Sequence, residues 1–139
     1  VRAGRAARKL TGMACRITEL VIDCADPERL ASFWSEVLGY VELDRDEETI
    51  EIGPPGAGFG GPQPTLVLSL SSDPRRGKLP LHLDVNATDR DQEAELERLL
   101  ALGARHVDVG QTGAESWYPL ADPEGNEFCL LRTRMQPVG

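Results

Sequence analysis

The chain repeats one order of elements: strand, helix, strand, strand, strand, and then the same again. Glu19 stands seven residues before Asp26, and His82 stands seven before Asp89. Each pair joins a strand of alternating character to a helix start, and the two helices stop at Gly39 and Gly103. A unit of this size cannot by itself bury the helix-covered face of its sheet and close its edges. Pairing of two copies is therefore the expected outcome, and it constrains the fold more than any other feature. The expectation is an α+β protein with two βαβββ modules in tandem, 13–72 and 79–134, followed by a tail at 135–139. A ferredoxin-like sandwich is the alternative, but it needs fewer strands per helix than the pattern contains.

In the first module, Leu20, Ile22 and Cys24 share one strand face, while Glu19, Val21 and Asp23 share the other. Asp26-Pro27-Glu28 is a helix start, with a capping carboxylate, proline at the first helical position and an acid in the first turn. Leu30, Phe33, Trp34, Val37 and Leu38 form an apolar stripe at helical spacing. Strands are predicted at 40–44, 49–52 and 65–71, with a Gly/Pro-rich surface loop from Gly53 to Pro62. In the second module, strands are predicted at 80–86, 104–109, 116–121 and 127–132, with a helix over 89–102.

Charge and cysteine usage narrow the function. The formal charge is −8, although residues 1–12 hold Arg2, Arg5, Arg8 and Lys9 and no acid. The body is thus strongly acidic and a poor partner for a nucleic-acid backbone. The basic segment reads as a flexible extension. No run approaches the ~20 apolar residues of a membrane span, and no signal-peptide pattern is present, which points to the cytoplasm. Cys15, Cys24 and Cys129 lack CxxC spacing, so they read as buried packing groups rather than a disulfide or zinc framework.

With Leu81, Leu83, Val85, Phe128 and Leu130 on the helix side, His82, Asp84 and Glu127 fall on the opposite face, as does Glu19. If both sheets contribute to one cleft, Glu19, His82 and Glu127 converge there. An imidazole with two carboxylates suits a divalent metal: zinc, iron, manganese, nickel or cobalt. Glu19 or Glu127 would be the catalytic base. Asp84 is a candidate to orient His82 or touch substrate. Of Trp117 and Tyr118, alternation lets one line a substrate pocket. Cys129 shares the phase of Glu127 but has no evident base, so it reads as packing.

Three stretches carry a family resemblance: E-L-V-I-D-C-A-D-P-E-R-L-A-S-F-W-S-E-V-L-G at 19–39, L-H-L-D-V at 81–85, and L-A-D-P-E-G-N-E-F-C-L at 120–130. Together they resemble the glyoxalase/bleomycin-resistance/dioxygenase group, the vicinal oxygen chelate superfamily, and in particular its glyoxalase-like domains of actinobacterial type. The resemblance implies curved mixed sheets around a shared cleft, with metal held from the first and last strands of each module. Carried over, these positions are Glu19 and a residue of 65–69, then His82 and Glu127. Glu19 stands where many relatives have histidine, and 65–69 offers no carboxylate, so a complete glyoxalase I site is absent.

Three functions follow as expectations. The first is a metal-dependent lyase, isomerase or dioxygenase acting on a substrate with adjacent oxygens. The second is a metal-free, antibiotic-sequestering binding protein, with a degenerate site and no cofactor. The third is an interaction module without a ligand. A small-molecule partner and a homodimer are expected.

Overall fold

The computed structural model describes residues 14–73 and 77–138, so the predicted basic extension lies outside the described residues. Strand β1 (Glu19–Cys24) leads into helix α1 (Pro27–Leu38), followed by β2 (Val41–Arg45), β3 (Thr49–Gly53) and β4 (Thr65–Leu70). The second module repeats the series as β5 (Leu83–Val85), α2 (Gln92–Leu102), β6 (Arg105–His106), β7 (Tyr118–Ala121) and β8 (Glu127–Leu130). The two sheets have the same topology: β1-β4-β3-β2 and β5-β8-β7-β6. In each, the first strand runs parallel to the last and the other neighbours are antiparallel. The predicted α+β architecture of two βαβββ modules is the architecture observed.

Helix α1 forms where its local signals place it. The Asp26 carboxylate accepts from the Arg29 amide at 3.1 Å, Pro27 opens the helix, and Gly39 ends it at φ 68°, where a side chain would be strained. Its apolar face packs in a core shared by both modules. Phe33 and Trp34 meet Phe128 of β8 edge-on, with ring centroids 6.0 and 5.1 Å apart. From α2, Arg98 donates to the Glu36 and Val37 carbonyls at the end of α1. There its positive charge also opposes the helix dipole. Leu66 and Leu68 of β4 and Leu130 of β8 complete the same core.

Several boundaries differ from the predicted ones, most of them in the second module. The second helix is capped by Asp91, whose carboxylate accepts from the Ala94 amide at 2.8 Å, rather than by Asp89. Asp89 is instead held by the Arg90 guanidinium through two contacts of 2.8 Å. Leu81, predicted on the helix side, is instead 81% exposed, because the chain before Leu83 lies outside the ladder. β5 is shorter than predicted because the ladder with β8 spans only Leu83–Val85. β6 is short because the following loop satisfies its own amides: Asp108 accepts from Gly110, and Glu115 accepts from Thr112 and Gly113. Among the described residues, no helix is long and apolar enough to cross a membrane.

Candidate functional site

β1 pairs only with β4, and β5 only with β8, so each sheet presents one of these strands as an edge. Between the two edges lies a cavity of about 720 Å³. Leu20, Ile22 and Trp34 line it from the first module, and Leu81, His82, Leu83 and Glu127 from the second. Its walls are largely apolar, with convergent acids and one imidazole, the composition of a small-molecule pocket.

The polar groups of the second sheet are arranged by strand register. Leu83 lies opposite Phe128 and Asp84 opposite Cys129 in the parallel ladder. Phe128 and Leu130 are buried in the core, so Asp84, Glu127 and Cys129 project from the other face, with His82 one residue before the ladder. His82 Nε2 lies 3.1 Å from Asp84 Oδ1. One ligand atom from each of His82, Asp84 and Cys129 falls within 4.8 Å of the others. The Glu127 carboxylate faces the Lys78 ammonium, with Oε2 and Nζ 3.6 Å apart.

The structure distributes the remaining predicted residues. Glu19 is exposed on β1 beside Thr65 of β4 and does not line the cavity. Within the described chain, Glu19, His82 and Glu127 are not gathered at metal-ligand spacing. Tyr118 pairs in register with Leu130, packs against the core, and donates its hydroxyl to Glu93 of α2. Trp117 precedes β7 and is 42% exposed; neither aromatic lines the cavity.

Two features escaped the sequence reading. The first is the D-P-E-G-N turn, which is more than a turn. Asp122 is fully buried and accepts from the Trp34 indole at 3.1 Å and from the Glu124 and Asn126 amides. Glu124 caps the opposite module, accepting from the Ala25 and Asp26 amides at 2.8 and 2.6 Å. Arg29 closes the seam onto the Pro123 carbonyl at 2.8 Å. The turn thereby fixes Glu127, its neighbour in sequence, relative to β1. A buried tryptophan needs an acceptor for its N–H, and that was the available signal. The second is Glu51 of β3, which lies opposite Val67 and takes a hydrogen bond from buried Thr65 at 3.2 Å.

Cys15, predicted as a buried packing group, is exposed because it precedes β1, and Cys24 and Cys129 are not activated nucleophiles. Burial, then the charges of Asp84 and Glu127, push the Cys129 thiol up. Burial and neighbouring acids push Cys24 up to about 11. Both are protonated near neutral pH. What the β5–β8 face can do is offer nitrogen, oxygen and sulfur donors, with a carboxylate–ammonium pair beside them.

The model of the family described as "Glyoxalase-like domain" matches residues 19–131. Comparison with curated proteins finds no match. A glyoxalase/bleomycin resistance protein/dioxygenase family enzyme from Burkholderia phytofirmans PsJN superposes with TM-score 0.63 at 17% identity, covering 84% of this chain and 97% of that one. A mutant of the fosfomycin resistance protein FosX from Listeria monocytogenes, complexed with Mn(II) and 1S,2S-dihydroxypropylphosphonic acid, gives 0.65 at 13% identity over 88% and 93%. FosX from Mesorhizobium loti gives 0.62 at 14% identity over 88% and 95%. At these identities the structural likeness speaks for the fold, and the family match covers most of the chain. The chain belongs to the glyoxalase-like domain family, within the glyoxalase/bleomycin-resistance/dioxygenase fold.

Proposed function

We propose that this protein is a divalent-metal-dependent enzyme, a lyase, isomerase or dioxygenase, acting on a small substrate with two adjacent oxygens. The observation that carries the reading is that His82 and Glu127 both line the cavity between β1 and β5. The Mn(II) complex of the FosX relative is consistent with it. His82 is the central ligand of the proposal, with Glu127 and Glu19 as carboxylate donors or proton acceptors. A bound divalent ion would polarise the substrate oxygens as a Lewis acid.

The protein's own groups have definable tasks. The apolar wall of Leu20, Ile22 and Trp34 excludes water around the reacting carbons. Glu127 is placed to take a proton at its carboxylate, and Lys78 is placed to balance its charge. Glu19 would have to come from a second copy of the chain, which makes a homodimer part of the proposal. Exposed apolar side chains on or just before the two edge strands suit that contact: Val21 on β1 at 58%, Ile17 before it at 72%, and Leu81 before β5 at 81% exposure.

Calorimetric titration with Mn²⁺ and Zn²⁺ tests the reading. Wild type takes up one ion per chain and His82→Ala loses it; an unchanged isotherm in His82→Ala would reject His82 as ligand. A second reading, a metal-free sequestering protein, is favoured by the apolar cavity walls. In that case, organic ligands raise the melting temperature with no metal added.

A further inference from the structure

We propose that the metal of this site is held by a thiolate, with His82, Asp84 and Cys129 as its protein ligands. This rests on the metal-dependent reading above and replaces its all-nitrogen-and-oxygen ligand set. Backbone register brings Asp84 and Cys129 together, and His82 joins them from the segment just before β5. Asp84 and Cys129 are direct partners across the parallel β5–β8 ladder, and His82 lies two residues before Asp84 on the same face. One ligand atom from each lies within 4.8 Å of the others, and His82 Nε2 and Asp84 Oδ1 are 3.1 Å apart. Tetrahedral ligands at metal–ligand distances of about 2.0–2.3 Å stand about 3.3–3.8 Å from one another. The cluster therefore needs only a small contraction.

The residues that must move are free to do so. The His82 and Asp84 side chains are 55% and 45% exposed, whereas Cys129 is half-buried on the central strand pair. Glu127, the acid that would otherwise fill the third position, is turned toward Lys78. Three protein ligands would leave a fourth position open, and His82, alone of the three, borders the cavity. There a substrate oxygen or water completes the shell. On binding, the sulfur–metal bond forms, the thiol proton goes to solvent, and a metal-bound water is released. A sulfur donor selects zinc, cobalt or cadmium over manganese or magnesium.

The test is titration of the reduced full chain with Co²⁺, followed by electronic absorption. The proposal expects a thiolate-to-cobalt charge-transfer band that saturates at one cobalt per chain. The band should be retained in Cys15→Ser and absent in Cys129→Ser. Cobalt affinity should fall at least ~10-fold in Cys129→Ser and in Asp84→Asn, the lower end of what lost metal-site contacts cost. Circular dichroism that matches wild type shows that each variant is folded. Cobalt binding without the band, abolished by Glu127→Gln and untouched by Cys129→Ser, would overturn the thiolate site while leaving metal dependence standing. No cobalt binding by wild type would overturn both.

Discussion

Replacing Trp34 by phenylalanine tests whether the Asp122 turn holds the two modules in place. The indole N–H of Trp34, 1% exposed, donates to the fully buried Asp122 carboxylate at 3.1 Å, joining residues 88 positions apart. A hydrogen bond to a charged acceptor contributes about 1.5–3 kcal/mol. The smaller ring adds roughly 1 kcal/mol of lost packing against Phe33 and Phe128. Trp34→Phe should thus cost about 2.5–4 kcal/mol, a fall of roughly 7–15 °C in melting temperature for a chain of this size. Asp122→Asn keeps the volume, and its amide oxygen can still serve the Glu124 and Asn126 amides. Its NH₂ group then faces the Trp34 N–H. In that background Trp34→Phe should cost only the packing component. Urea unfolding of wild type, both single variants and the double variant gives the coupling, expected at about 1.5–3 kcal/mol, the hydrogen-bond component. Additivity within about 0.5 kcal/mol would refute the latch.

Glu124→Ala should remove the cap on the Ala25 and Asp26 amides and lower stability by about 0.5–2 kcal/mol, measured by urea unfolding. Stability should also fall in acid. The Arg90 guanidinium lowers Asp89 from its ordinary 3.8 to about 2, and backbone amides lower Asp46 and Glu115. These folded-state values lie below the unfolded ones, so the contribution is complete above the ordinary carboxylate range. It is lost as pH falls through that range toward the folded values, and thermal melts taken stepwise into acid should track it. Timed alkylation with mass spectrometry at neutral pH should label exposed Cys15 first and buried Cys24 only on unfolding.

What the sequence discloses about this fold is what neighbouring residues decide. Asp26, Pro27 and Gly39 act within a turn of the helix they bound, and the stripe from Leu30 to Leu38 has one period to obey. The phase of His82 against Leu83 and Val85 is equally local. The choice between Asp89 and Asp91 as helix cap is not: both are acids before an apolar pattern, and Arg90 settles it by claiming one. Separation of Glu19 from His82 depends on how α1 seats against Phe128 and how Trp34 finds Asp122, contacts between distant parts of the chain. Asp84 and Cys129 were each visible as residues of the His82 face. That they stand as partners follows only from the parallel ladder, in which a two-residue slip would have brought Asp84 beside Glu127.

Anomalous scattering from a crystal grown with Zn²⁺ tests most directly whether a metal binds at His82. The account predicts one strong peak per chain, about 2.0–2.1 Å from a His82 ring nitrogen, beside the β5–β8 face. A zinc-replete crystal with no peak at His82, or with its only peaks at other residues, would contradict it.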